Sequence, residues 1–232
     1  MKTIGLLGGT SWQSTADYYR IINERTHKNR GGQHSAKIIL NSLDFDEFVE
    51  RMLVEKWDEV LEMLLVGVSQ LERGGADFFL LCTNTMHKVA PELERRSCIP
   101  MLHIVDATIS EIKSQEFASV GLLGTKFVME QDFYRERLAA QGISVVVPHA
   151  EDRQLVHKTI FHELCHGKVT IESKIEFQRI IANLSQEGAE GVVLGCTEIG
   201  MLISQSEVQT PLFDTTRIHA EMAVEMAYEP GD

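Results

Sequence analysis

Apolar residues in this chain fall into short unbroken runs separated by longer amphipathic stretches. Eight runs have strand length, at residues 3–7, 37–40, 77–81, 100–104, 119–123, 144–147, 191–194 and 210–213. Unbroken runs suit strands covered on both faces, as in parallel sheets. Between them the period changes. Residues 55–73 place Trp57, Val60, Leu61, Leu64, Leu65, Val68 and Leu71 on one helical stripe, which Gly74 stops. Residues 171–187 repeat the device with Ile175, Phe177, Ile180, Ile181 and Leu184, closed by Gly188. A last helix takes Asp214 or Thr215 as its N-cap and runs to about Tyr228. Strands alternating with helices predict βαβ units and an α/β fold.

Two segments occur twice. IGLLGGT at residues 4–10 returns as VGLLGT at 120–125, and GGADFFLLCTNT at 74–85 returns as GAEGVVLGCTEI at 188–199. Leu6 and Leu122 are 116 residues apart, Cys82 and Cys196 are 114 apart, and half of this 232-residue chain is 116. Two echoes at nearly one offset predict a duplicated domain: two pseudo-symmetric, doubly wound parallel sheets. The first domain is expected over residues 1–103 plus 212–232, with the C-terminal helix returning to it, and the second over 104–211. In such sheets ligands sit at the carboxyl ends of the strands, where both cysteine segments fall.

Composition narrows the function. Lys plus Arg total 22 against 34 Asp plus Glu, a net charge of −12, the opposite of a nucleic-acid footprint. No apolar run approaches the ~18 residues of a membrane span. MKTIGLLGGTSW lacks the long apolar stretch of a secretory signal, so a cytoplasmic address is expected. Cys82, Cys98, Cys165 and Cys196 lack the spacing of a zinc or redox pair and read as free thiols.

Cys82 ends the run DFFLL and opens TNTMHKV; Cys196 ends VVLG and opens TEIGMLI. Each thiol is expected just before a helix N-terminus, where unpaired amides favour a thiolate and lower its pKa into the range of roughly 3.5–7.5. Thr83, Asn84, Thr85, Thr197 and Glu198 supply hydroxyls, an amide and backbone donors for a carboxylate. If the two halves face each other, the thiols meet across the cleft. That suits inversion of a carbon, in which one face loses a proton and the other gains one, with charge on the carboxylate stabilised throughout.

GLLGGTSW with the Tyr-Tyr of ADYYR, LCTNTMHKVA, LLGTKFVMEQDFYRERL, LGCTEIG and PLFDTT resemble the aspartate/glutamate racemase family over essentially the whole chain. The resemblance implies a cofactor-independent racemase of acidic amino acids, with two similar α/β domains, the active site in the cleft between them, and Cys82 and Cys196 as the two catalytic cysteines. Thr83, Asn84, Thr85, Thr197 and Glu198 match positions around the bound α-carboxylate and amino group; Thr10, Ser11 and Thr125 match further cleft positions. It also implies a basic residue, in the loop after the second strand, that reads a second carboxylate. Here that loop is LDFDEFVERM, offering Arg51 or, in register with other members, the apolar Met52; Lys168 in CHGKVT is the other candidate cation. If neither cation reaches the substrate, a neutral amino acid such as homoserine becomes the alternative. The partner is a small-molecule amino acid, with no nucleic acid and no membrane, and the resemblance is compatible with a homodimer. Competing readings are a thiol-dependent isomerase or decarboxylase of a dicarboxylate, and a non-catalytic amino-acid-binding protein.

HELCH at residues 162–166 fits the H-E-x-x-H pattern of zinc peptidases. Leu155, Ile160, Phe161 and Leu164 make the stretch helical, but Gly167 ends it where a zinc-binding helix continues. It is read as a helix end away from the repeated strand ends, and no metal is expected. Gly8-Gly9 is followed by no phosphate-loop pattern, and no lysine has a pyridoxal-phosphate context. His87 could orient the Cys82 segment. Cys98 and Cys165 have no repeat partner and read as structural.

Overall fold

The computed structural model describes residues 1–228. All eight expected strands form, as two separate four-stranded parallel sheets. The first orders β2 (Ile38–Ser42), β1 (Ile4–Gly8), β3 (Phe78–Leu81) and β4 (Met101–Leu102); the second orders β6 (Ser144–Val146), β5 (Ser119–Gly124), β7 (Gly191–Gly195) and β8 (Leu212–Asp214). The order 2-1-3-4 thus occurs twice. The inner strands β1, β3 and β7 are buried along their whole length, which is why their sequences carry no polar alternation.

The chain divides into two compact units, Met1–Ile104 with the chain from His219 onward, and Val105–Ile218. The expected boundary at residue 212 differs, because β8 pairs in parallel with β7 and so belongs to the second unit. The run 210–213 is too short to reveal which sheet it joins. Residues 229–232 of the expected first domain lie outside the described residues. Each fourth strand leads into a helix at a unit boundary. α5 (Ile104–Ser114) opens at the first crossing, and the second falls inside α11 (Thr215–Tyr228), between Ile218 and His219. Ala220, Ala223, Val224 and Ala227 of α11 pack with Ile4, Leu6, Phe78, Leu80 and Cys82 on the first sheet and with Tyr18 and Ile22 of the helix that follows β1. The small residues of α11 let the helix lie close to that sheet.

Helices follow their caps. α1 (Trp12–Arg30) starts at Ser11, whose Oγ accepts from the Ser14 N–H, and ends at Gly31. α3 (Trp57–Gly74) buries Val60, Leu61, Leu64, Val68 and Leu71, each worth roughly 1.5–3 kcal/mol. Its stop is Gly75, left-handed at φ 88°, one residue beyond the expected Gly74. α9 (Ile171–Gln186) buries Phe177, Ile180, Ile181 and Leu184 but leaves Ile175 56% exposed, so that residue is off the stripe.

Two stretches depart from expectation. The segment after β2 is not a loop: α2 (Phe45–Leu53) forms there, capped by the Asp44 carboxylate on the Asp46 N–H, with Phe48 and Met52 buried one turn apart. HELCH is not one helix. α8 (Ala150–His162) ends at Glu163, whose backbone (φ −122°, ψ −67°) breaks the α geometry, and a 3₁₀ turn covers Leu164–His166. The two histidines therefore do not share one α-helical face. The Glu163 carboxylate instead accepts from the Ser173 hydroxyl at 2.7 Å and the Thr170 hydroxyl at 3.1 Å, tying the turn to α9. Among the described residues no helix is long and apolar enough to cross a membrane.

Candidate active site

In the first unit the site is built at the carboxyl ends of β1 and β3. β1 runs out through Gly9 (φ 90°) and Ser11 (φ 149°), the latter a non-glycine residue held at positive φ, a strain that clusters at functional positions. The turn is pinned locally: the Gly9 N–H donates to Thr15 Oγ1 at 2.9 Å, and that hydroxyl donates to the Ser11 carbonyl at 2.9 Å. Thr10 is 6% exposed, and its Oγ1 has no hydrogen-bond partner among the described residues. A buried hydroxyl left unpaired is destabilising by about 1–3 kcal/mol and is suited to a ligand.

Cys82 follows β3 directly and is fully buried. Its N–H continues the sheet to the Leu7 carbonyl at 3.0 Å, and its own carbonyl accepts from Ser14 Oγ at 3.4 Å. Ser14 on α1 is a neighbour that no sequence pattern singled out. After half-buried Thr83, buried Asn84 and Thr85 open a 3₁₀ turn, Thr85–Val89, and α4 (Ala90–Arg96) follows. Thr10, Ser11, Cys82, Thr83, Asn84 and Thr85 thus occupy one sheet edge.

The second unit repeats the plan at the ends of β5 and β7. Thr125, buried, caps α6 (Lys126–Glu130) through its Oγ1. Gly124 and Gly195 are register partners, and a Cβ on either would approach the other strand's carbonyl to 2.8–2.9 Å. Cys196 follows, buried, with its thiol donating to Glu198 Oε2 at 3.0 Å; the Thr197 hydroxyl donates to the same oxygen at 2.8 Å. The strand is fixed from behind by the Thr215 hydroxyl on the Leu194 carbonyl at 2.8 Å.

The two cysteines do not sit at matching strand positions. Leu6 pairs with Leu80, and Cys82 lies two residues beyond; the equivalent Leu122 pairs with Val193, and Cys196 lies three beyond. Cys196 is therefore displaced one residue, ~3.3 Å of strand rise, because β7 keeps the extra Gly195.

The thiol chemistry also departs from expectation. Burial pushes the Cys82 thiol well above its ordinary pKa. Burial pushes Cys196 up as well, aided by the charge and hydrogen bond of the Glu198 carboxylate, while the Glu198 backbone amide works the other way. The helices beyond them are a five-residue 3₁₀ turn and the four-residue α10 (Ile199–Leu202), too short to assemble the dipole that the thiolate expectation required. Both resting thiols are protonated at neutral pH. Cys165 is not remote: it packs on the hydrophobic cluster that contains Cys196, and burial followed by Glu198 raises its thiol to about 12. Its place comes from the broken helix at Glu163, which no repeat could signal. Cys98 is exposed rather than core, its N–H donating to Glu72 Oε1 at 2.7 Å.

The proposed side-chain cations are engaged elsewhere or open to solvent. Arg51, on α2, donates to the Glu47 carbonyl and lies 3.3 Å from Glu59 Oε2. Met52 is 3% exposed in the core of the same helix. Lys168 is exposed, on the loop leaving the 3₁₀ turn.

Behind Cys82, His219 is fully buried, with Nδ1 accepting from the Tyr18 hydroxyl and Nε2–H donating to the Leu102 carbonyl, both at 2.8 Å. Burial pushes its pKa down to about 4, against the 6.5 of an unperturbed imidazole. Between those values the unfolded chain binds a proton that the folded one refuses, so stability falls as pH drops from about 6.5 to about 4 and is fully present above. The loss expected from this group is roughly 3 kcal/mol. Urea midpoints at pH 7.5 and 4.5 check it: His219→Gln, which keeps a donor for Leu102, should lose much less stability between them.

A profile of the Asp/Glu/Hydantoin racemase family matches residues 7–223. Over 231 residues, 97% of this chain and 99% of the relative, the sequence is 24% identical to the broad specificity amino-acid racemase RacX of Bacillus subtilis. A crystal structure from Yersinia pestis, assigned to the Asp/Glu racemases, superposes with a TM-score of 0.92 at 43% identity, covering 99% of this chain and 100% of that one. An aspartate racemase homologue from Pyrococcus horikoshii OT3 gives a TM-score of 0.85 at 35% identity, over 99% and 100% of the chains.

Proposed function

The chain belongs to the Asp/Glu/Hydantoin racemase family, and from that premise we propose that it racemises aspartate or glutamate without a cofactor, using Cys82 and Cys196 as two bases on opposite faces of the α-carbon. The observation that carries this reading is the duplication of the site. Each unit ends its third strand, β3 or β7, in a buried thiol followed by a threonine, beside an inner strand whose end supplies a buried hydroxyl, Thr10 or Thr125.

In one direction a thiolate on one side removes the α-proton while the thiol opposite delivers its own, so the products are the inverted amino acid, a thiol and a thiolate. The next turnover of the opposite enantiomer starts from that state, and protons balance. Because both resting thiols are held protonated, the substrate itself must help to form the thiolate, the displaced proton leaving to solvent as the substrate enters. Its α-ammonium is a cation brought into a buried site, where opposite charge favours ionisation. Glu198 is poised for this: its carboxylate already accepts the Cys196 thiol proton's hydrogen bond and can hold the ammonium. The Thr and Asn hydroxyl and amide groups at the strand ends then stabilise the enolate-like charge on the carboxylate.

Acidic side chains are the proposed substrates, and the broad specificity in the name of the Bacillus subtilis relative makes neutral amino acids, homoserine included, the necessary comparison. Incubating each enantiomer in deuterated water tests the whole reading. Loss of optical activity with one solvent deuteron entering the α-position is expected. No exchange with any amino acid would leave a binding protein, and carbon dioxide release would make it a decarboxylase.

A further inference from the structure

His87 is 1% exposed and uses both ring nitrogens on backbone. Nδ1 lies 2.8 Å from the Thr83 carbonyl, which only accepts, so the proton is on Nδ1. Nε2 then accepts the Ile104 N–H at 3.3 Å. The ring packs edge-on against His103, with centroids 4.4 Å apart, and lies 6.2 Å from His219. One side chain therefore joins the Thr83–Asn84 peptide, one residue beyond Cys82, to the amide that opens α5, where the chain leaves the first unit. His219 holds the Leu102 carbonyl of the same short segment. We propose that His87 is a positioning residue for the Cys82 thiol, acting through the Thr83 carbonyl, with the Ile104 amide selecting the tautomer that makes this bond.

The proposal rests on the racemase reading for its consequence but not for its geometry. Cys82 sits between a strand fixed by the sheet and a short turn held at two successive carbonyls, its own by Ser14 Oγ at 3.4 Å and that of Thr83 by His87, so His87 fixes the far side of the turn from whose backbone the sulfur projects. A misplacement of about 1 Å in a proton-transfer site lowers rates on the order of 10²-fold.

The two nitrogens can be removed one at a time. An asparagine amide occupies the place of Nδ1, and a glutamine amide that of Nε2. His87→Asn keeps a donor for Thr83 and loses the Ile104 acceptor; His87→Gln does the reverse. Expected for His87→Gln is a kcat lower by about 10- to 100-fold with KM little changed. Its α-deuterium isotope effect should increase for one enantiomer only, because one of two bases is disturbed. His87→Asn should stay within about threefold of the unsubstituted kcat, with symmetric isotope effects. A substrate-free readout runs in parallel: the rate of Cys82 alkylation by iodoacetamide, followed by peptide mass spectrometry, should change in His87→Gln and not in His87→Asn. Equal effects of the two substitutions on alkylation, or equal kcat losses with unchanged isotope effects in both directions, would overturn the assignment. A failed racemase reading shows separately, as absent α-deuteration in the unsubstituted protein, and the alkylation comparison still decides the role of His87.

Discussion

Cys82→Ala and Cys196→Ala are each expected to lower racemisation by about 10²- to 10⁴-fold, the range for loss of a positioned acid–base group, while the fold persists. Losing the thiol leaves a small apolar methyl in each core, and among the described residues neither sulfur carries a structural hydrogen bond beyond the one from Cys196 to Glu198. The sharper result is asymmetric. With one sulfur left, the protein can still remove the α-proton of the enantiomer facing it and return a deuteron to the same face, so exchange without inversion survives for one enantiomer. The two variants should retain opposite enantiomers. Because both thiols are pushed above their ordinary range, activity in the unsubstituted protein should climb with pH from neutrality into the alkaline range, where the thiolate becomes more accessible. Deuterium incorporation by each variant, read by NMR for each enantiomer, checks all of this. Inversion at the normal rate in Cys196→Ala would remove the two-base scheme.

How much of this site is legible in the residues depends on the range of the interaction. The inner strands are legible because burial on both faces leaves an unbroken apolar run, and the duplication because Gly-Thr and Cys-Thr recur at nearly half the chain length. The features that escape are set by geometry across elements. The one-residue displacement of Cys196 relative to Cys82 is a pairing register, visible only once Gly195 is seen to remain in β7. The thiolate expectation needs a full helix after each cysteine, whereas the chain makes a 3₁₀ turn and a four-residue helix, and burial decides the sign of the shift. α2 does have a local signature: Asp44 as cap, acids in the first turn and Phe48 with Met52 four apart are ordinary helix signals, which a reading of LDFDEFVERM for its cations alone passes over. Cys165 beside Cys196 and the His219–Tyr18 pair, 201 residues apart, have no local signature at all.

Gly9→Ala is expected to be the most damaging single methyl added near the site. Gly9 sits at φ 90°, and a Cβ there would meet the Leu43 carbonyl oxygen at 2.1 Å and the Leu43 nitrogen at 2.2 Å. Both are backbone atoms, so no side chain can swing aside. The same Leu43 N–H donates to the Gly8 carbonyl at 3.0 Å, so relieving the overlap sacrifices the bond that holds the β2–α2 connection against the end of β1. The left-handed backbone costs a non-glycine residue about 1–2 kcal/mol, and the displaced bond and packing raise the expected loss above ~3 kcal/mol. Gly75 isolates the first of these terms: its φ is 88° and, among the described residues, nothing lies within 4 Å of its added Cβ, so Gly75→Ala should destabilise by the backbone cost alone. Function should separate the pair further. Thr10 and Ser11 follow Gly9 directly, and Ser11 caps α1, so a shift at Gly9 moves the unpaired Thr10 hydroxyl and the Ser14 contact to the Cys82 carbonyl. Urea denaturation and kcat measured on both variants test this: Gly9→Ala should lose stability and turnover together, Gly75→Ala stability only, and equal stability losses would mean that the overlap with Leu43 is relieved without harm.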